Sequence, residues 1–347
     1  MARASVGARP GWRTSGRMVA AGRLHLESRA DARIVLAMDN ENASPSPATA
    51  ADGDDRCGRF LLPEAGVRGV YVRLRGSWRE LLSHAHYPPG ATALLGEALA
   101  AATLFTGHTK VEGRLSVQVR AGGPLRSLFA ECTAAGTVRG IVQLDEGTDT
   151  PRAPSALGED ALLAVTIENP GLDPREPQRY QSLVALGDAG SLAQAFEDYF
   201  RQSEQLPTRL LLAADGDTAA GLMLQKLPGE EGDADGWDRA GALFDTLGEA
   251  ELLATDPQVL AHRLFHQERP ALLGEKPVRF GCSCSRERVE AMLRSLGEEE
   301  ARAAAEATGA VEVRCEFCGR EYHFPLAGIG VLFGQPSANA EAPERLQ

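Results

Sequence analysis

Apolar and polar residues begin to alternate regularly near Arg59. Val70, Val72 and Leu74 interleave with Tyr71 and Arg73, the period of two expected of a strand with one covered face. Leu115, Val117 and Val119 repeat the pattern against Ser116, Gln118 and Arg120. Gly122-Gly123-Pro124 then turns the chain into another strand over 125–132. Further strands are predicted over 137–144, 162–167, 179–186, 208–214 and 220–227. Two stretches change period. Residues 91–104 are nearly all Ala, Leu and Thr, which predicts a helix covered on most sides. Leu192, Ala195, Phe196, Tyr199 and Phe200 fall at i, i+3, i+4, i+7 and i+8, with Ser191 as N-cap and Pro207 past the end. Ser77 is placed to cap a short helix through Leu82. Strands outnumber helices and mostly follow one another directly, so an α+β domain with mixed or antiparallel sheets is expected over 56–228.

Beyond an acidic, glycine-rich stretch near 229–238, the pattern becomes helical. Trp237, Ala240, Leu243, Phe244 and Leu247 make one stripe, stopped by Gly248. Asp256 as N-cap and Pro257 at the first helical position open a second, with Val259, Leu260, Leu264 and Phe265 as its stripe. Such helices are too short to stand alone in water. They define a helical linker over 229–275, expected to rest on the first domain and on a C-terminal one, and to be either an ordinary helical bridge or a metastable element that melts if a support is withdrawn. That C-terminal domain is small and is expected over 276–334. In it, Ser285 caps a helix carrying Val289, Met292, Leu293 and Leu296, and an alanine-rich helix over 298–308 ends at Gly309. Strands over 311–314 and 321–324 form a hairpin.

Composition changes the picture mainly at the ends. Residues 1–37 hold seven arginines against Glu27 and Asp31, a net of +5, so the remaining chain carries −17 of the total −12. So acidic a body repels phosphate backbones, which argues against nucleic acid as a partner. Residues 1–55 are rich in Arg, Ala, Gly, Ser and Pro without periodicity and are expected to be a disordered extension, as are 335–347 at the other end. The start reads as an upstream extension, with Met38 as the true start, rather than a presequence. No uninterrupted apolar run approaches the roughly 20 residues that a membrane helix needs. No membrane partner is expected, and the cytoplasm is the default compartment.

The chemistry is concentrated in the cysteines. Four of six lie within 37 residues, as Cys282-Ser283-Cys284, thirty intervening residues, then Cys315-Glu316-Phe317-Cys318. Two ligand pairs on tight turns can close a tetrahedron of thiolates around zinc, with bonds of about 2.3 Å. Gly319, just after the last cysteine, lets the backbone turn back. Two disulfides or four unrelated buried thiols are the alternatives. A reducing compartment argues against the first, the spacing against the second. On spacing alone, a structural zinc is favoured over a redox switch. Lys276, Arg279, Arg286, Arg288, Arg314 and Arg320 stand near in sequence and could offset a thiolate centre, or simply coat a small domain. Cys132 reads as a core residue, and Cys57 is given no role. His262 and His266 share a helix face at metal-capable spacing, and His323 follows Cys318 by five residues. All three are expected to stay out of the ligand set. No phosphate-binding loop and no nucleophile elbow appears.

The run Cys282-Ser283-Cys284-Ser285-Arg286-Glu287-Arg288 with Cys315-Glu316-Phe317-Cys318-Gly319 resembles the C-terminal zinc switch of the heat-shock protein 33 family, the redox-regulated holdase chaperones. Tyr180-Gln181 and Tyr199-Phe200-Arg201-Gln202-Ser203-Glu204-Gln205-Leu206-Pro207-Thr208 resemble that family's N-terminal signature. The resemblance spans about 59–332. It implies that Cys282, Cys284, Cys315 and Cys318 bind zinc in a reduced, inactive state. It also implies that oxidation pairs Cys282 with Cys284 and Cys315 with Cys318, releasing zinc and unfolding the linker. The activated chain, as a homodimer, would then hold unfolding client proteins without ATP and pass them to ATP-dependent refolding chaperones. The expected role is a chaperone of the stress response, not an enzyme. The alternatives are a thiol-disulfide oxidoreductase using Cys315 and Cys318, which needs a helix starting at the motif, and a structural zinc-ribbon interaction module.

Overall fold

The computed structural model describes residues 25–26, 33–36, 55–109, 111–145, 150–171, 177–229 and 232–334. Strands β1 (His25–Leu26), β2 (Arg33–Leu36), β3 (Arg56–Leu62) and β4 (Val67–Leu74) precede helices α1 (Gly76–Leu82) and α2 (Pro89–His108). Strands β5 (Arg114–Arg120), β6 (Leu125–Thr133), β7 (Thr137–Leu144), β8 (Leu162–Asn169) and β9 (Gln178–Ala185) lead to α3 (Leu192–Tyr199), β10 (Thr208–Ala214) and β11 (Ala219–Lys226). Helices α4 (Gly236–Phe244), α5 (Glu249–Ala254) and α6 (Pro257–Phe265) come next, then strands β12 (Ala271–Pro277) and β13 (Arg279–Phe280). The chain continues through α7 (Arg286–Leu296), α8 (Glu298–Thr308), the hairpin β14 (Ala310–Cys315) and β15 (Glu321–Pro325), and α9 (Leu326–Gly334).

Two sheets enclose α2, in the orders β10-β11-β4-β3-β12 and β13-β7-β6-β5-β8-β9. Only β13 with β7 runs parallel within them. The architecture is the mixed α+β one expected from the pattern. A helix apolar on every side must be covered on every side, and α2 places Leu94, Leu95, Leu99 and Leu104 in one core with Val72, Val117, Leu128 and Val138 from both sheets. The pattern predicts this helix over 91–104. Pro89 at its first turn and continuation to His108 bring it to 20 residues. By length and composition alone it can span a membrane, contrary to the reading of the apolar runs. In this fold, however, 78% of that window is buried between the sheets.

The outer face of each sheet carries a further layer. On the five-stranded sheet, Phe60, Tyr71 and Leu222 pack against Phe244, Leu260 and Phe265 of the linker helices. On the six-stranded sheet, Phe129 and Ile141 join the core of the C-terminal module, with Val289, Leu293, Val311 and Phe324. The layers therefore run linker helices, sheet, α2, sheet, cysteine module. β4 is buried on both faces, so the alternation at 70–74 does not mark a half-exposed strand, and Tyr71 faces the linker. The linker helices rest on the five-stranded sheet, and the cluster they form with it contains no residue of the module. Their expected second support is thus indirect, through β12 and β13. Val259, assigned to the α6 stripe, is 57% exposed, and Ala261 takes the buried place.

Local details depart from the sequence pattern where a distant residue intervenes. Ser77 does not cap α1. The Asp55 carboxylate does, accepting from the amides of Arg75 (2.5 Å), Gly76 (3.0 Å) and Ser77 (2.5 Å). Ser191 and Asp256 cap α3 and α6 as expected, accepting from Gln194 N at 3.1 Å and from Gln258 N at 3.0 Å. α3 passes into a π-turn at Phe200–Glu204, within the stretch that resembles the family signature. The expectation of disorder over 1–55 and 335–347 falls mostly outside the described residues. Within 1–55, however, β2 pairs in parallel with β14, from Glu312 opposite Arg33 to Cys315 opposite Leu36. An Ile-Val-Leu run too short to show periodicity thereby covers an open strand edge.

Candidate metal centre

Each sulfur is held by a local device. Cys282 follows β13, whose Phe280 is buried in the main core. Cys284 precedes α7, whose N-cap Ser285 accepts from Arg288 N at 3.4 Å. Cys315 ends β14. Its amide donates to the Arg320 carbonyl at 2.9 Å, and its carbonyl accepts from Gly319 N at 2.8 Å, which folds Cys318 back onto it. Gly319 makes that turn at φ +65°, a conformation that costs glycine nothing and a side chain more.

The four sulfurs lie within 4.8 Å of one another. Cys282 Sγ is 3.6 Å from Cys315 Sγ, and Cys284 Sγ is 3.3 Å from Cys318 Sγ. A zinc tetrahedron with bonds of about 2.3 Å has sulfur–sulfur edges of about 3.8 Å, so the donor set fits the ion. Among the described residues no other such group of potential ligands forms. His262 and His266 are exposed on and just after α6. His323 is exposed on β15, with Nδ1 3.8 Å from Glu312 Oε1. None of the three joins the cluster.

Crowding makes the thiols unequal. Hydrogen bonds from Cys282, then Cys315 and Cys318, hold Cys284 well below the usual thiol range, and Tyr322 OH adds another at 3.2 Å. Hydrogen bonds from Cys282, then Cys284, push Cys315 and Cys318 up. Four thiolates cannot share this space without a cation among them. Cys57 and Cys132 differ: burial pushes both up to about 12, as expected of inert core thiols.

The main cation facing the cluster comes from a place that sequence proximity does not suggest. Arg139 on β7 is buried, donates to Glu131 at 2.9 Å and to Ser283 Oγ at 2.9 Å, and lies 4.6 Å over the Phe317 ring. Burial works against its charge, and Glu131 with Cys282 and Cys315 outweighs that, so its pKa is raised. It belongs to a ladder across five strands, Arg139–Glu131–Arg114–Glu168–Arg179. Three arginines against two glutamates leave one positive charge, and Arg288, which donates to the Ser283 carbonyl at 2.8 Å, adds a second. These cations stand against the −2 that four thiolates would carry with one divalent ion bound. Of the six cations singled out by sequence, Arg288 and Arg320 feel the cluster's charge. Arg286 instead lies 4.4 Å over the Phe324 ring. Arg314 donates to the His84 carbonyl at 3.4 Å. Phe317, between the second pair of cysteines, meets Phe129 edge-on at 5.8 Å, so the knuckle itself is a docking surface. The aromatic inside Cys-Glu-Phe-Cys was the available signal for that contact; nothing in the local sequence marked Arg139.

Fold and site together define a class: an α+β core bearing a small four-cysteine module able to hold one metal ion. The profile of the family described as Hsp33 protein matches residues 55–325. The 33 kDa chaperonin of Ectopseudomonas mendocina is 43% identical over 296 residues, covering 83% of this chain and 97% of that protein. The 33 kDa chaperonin of Chromobacterium violaceum is 39% identical over 279 residues, covering 80% and 94%. The crystal structure of the Thermotoga maritima 33 kDa chaperonin, a heat shock protein 33 homolog, shares the fold with a TM-score of 0.66 at 22% identity, covering 80% of this chain and 97% of that one. The chain belongs to the Hsp33 protein family.

Proposed function

We propose that this protein is a redox-regulated, ATP-independent chaperone, a cytoplasmic holdase without catalytic activity. Its units are a core domain (56–228), a metastable linker (229–275) and a zinc-binding switch domain (276–334), flanked by extensions. Cys282, Cys284, Cys315 and Cys318 hold zinc in the reduced, inactive form. Bound zinc keeps all four sulfurs as thiolates and contributes about 10–16 kcal/mol of apparent binding energy to a module of this kind. Under peroxide, Cys282 pairs with Cys284 and Cys315 with Cys318. Each pair gives up two electrons, and one peroxide per pair is reduced to two waters. The module then loses its ligand set, Arg139 and Arg288 lose the charge they face, and the linker loses its tether. Freed apolar surface binds unfolding proteins, the oxidised chain dimerises, and clients pass to ATP-dependent refolding chaperones. The observation that carries this reading is the gathering of all four sulfurs within 4.8 Å, in a chain of this family.

The test measures zinc content and suppression of aggregation on reduced and peroxide-treated protein. One zinc per reduced chain, lost on oxidation as suppression appears, is expected. Equal suppression in both states, or zinc retained after oxidation, would refute the switch. The oxidoreductase alternative meets a specific obstacle: Cys315-Glu316-Phe317-Cys318 ends β14 and turns into β15 rather than opening a helix.

A further inference from the structure

β12 forms the edge of the five-stranded sheet and joins the linker to the module, and it is held unlike any other strand of the core. All seven of its residues are exposed, including Leu272 at 53% and Leu273 at 55%. Its register against β3 slips between Leu272 and Gly274, and Gly274 sits at φ +119°. Among the described residues its side-chain support is confined to Glu275, which accepts from Tyr71 OH at 2.6 Å and pairs with Arg56 at 3.8 Å. β3, by contrast, buries Cys57, Phe60 and Leu62 and pairs along its whole length with β4. If β12 leaves, β3 stays and presents a row of unpaired amides and carbonyls.

We propose that this outer edge of β3 is a docking site for an extended segment of an unfolded protein, which takes the place of β12 by antiparallel strand addition. The inference rests on the chaperone reading and names the partner's chemistry. Backbone pairing is indifferent to sequence, and a position whose present occupant buries no residue and makes side-chain contacts through Glu275 imposes little side-chain selection. Leu272 and Leu273 show that adjacent apolar residues are accommodated there. β12 lies between the linker and Cys282, so melting of the module withdraws the anchor at its C-terminal end. In the zinc-loaded chain, β12 occupies the edge and keeps it closed.

The experiment uses full-length protein, zinc-loaded or peroxide-treated, with reduced carboxymethylated lactalbumin as a permanently unfolded probe. Amide exchange in 56–62 should speed up at least about tenfold on oxidation and slow again when the probe is added. A second arm tethers β12. Leu61 and Ala271 stand opposite each other, and Leu61→Cys with Ala271→Cys can be joined by a bismaleimide while zinc shields the four module cysteines and burial shields Cys57 and Cys132. The tethered protein should release zinc on oxidation yet lose most of its suppression, whereas the double variant with each introduced cysteine capped separately by N-ethylmaleimide keeps it. Full suppression with β12 tethered, or exchange in 56–62 unmoved by bound probe, would overturn the docking site and leave the chaperone reading standing. Slowing that depends on protein concentration without probe would also overturn it, by assigning the edge to a second copy. No suppression by oxidised wild type would refute both.

Discussion

At the residue scale, two side chains do more than their neighbourhoods announce. Asp55 satisfies three amides at the start of α1 from twenty residues upstream. Replacing a capping carboxylate typically costs roughly 0.5–2 kcal/mol, and three orphaned donors put Asp55→Ala at the upper end of that range. Thermal melts should show the loss, and a chain beginning at Arg56 should melt lower than one beginning at Asp55; equal melting would mean the cap is dispensable. His108 is the second. Burial, then the nearby Arg68 charge, lowers its pKa to about 4, and Arg68 Nη2 lies 2.8 Å from its Nε2. Since the unfolded state then binds the proton more readily, stability is complete above pH 6.5 and falls as pH drops toward 4. The loss reaches about 3 kcal/mol if fully expressed. Denaturant titrations of wild type and His108→Gln between pH 7 and 4 check this: the variant's curve should be flatter, and parallel curves would discount the group.

At the element scale, the short helices of the linker gain their stability by docking. Phe265 stacks on Phe60 with centroids 5.9 Å apart, and Phe244, Leu247 and Leu252 complete the cluster. Arg152 adds a polar tie, donating to Glu97 of α2 at 3.1 Å and to Glu249 of α5 at 2.7 Å. Oxidation is expected to remove exchange protection from α4–α6 and α7–α9 while α2 and the central strands keep theirs. Continued protection of α4–α6 alongside full client binding would mean the linker does not unfold.

At the scale of the whole molecule, five layers share two independent supports. The sheets close around α2 over a core that includes Cys57 and Cys132 but not the buried pair Cys284 and Cys315, whereas the module core of Val289, Leu293, Val311 and Phe324 is small and organised around those two. Strong chelation under reducing conditions should therefore melt the cysteine module, and with it the linker it tethers, while the core around α2 stays folded; the module loses about 10–16 kcal/mol of apparent binding energy. Calorimetry should show one transition lost and the main one within a few degrees of its original position. A collapse of both would show that the core depends on the metal.

The sequence by itself determined the elements whose causes are local. The caps at Ser191, Asp256 and Ser285, the Thr137–Leu144 and Thr208–Ala214 strands and the Glu298–Thr308 helix stand where period and punctuation place them. The four cysteines announced their own meeting, because paired thiols on tight turns have few other uses. Tertiary structure decided what depends on partners far away in the chain. It buried both faces of β4 and set the linker and the module on opposite sides of the core. It also made edge strand β12 from residues with no buried face, and brought Arg139 to Ser283 across 144 positions. A strand held mainly by its backbone, and a charge whose counter-charges come from other layers, leave no periodic trace, since periodicity records which face is covered and not what covers it.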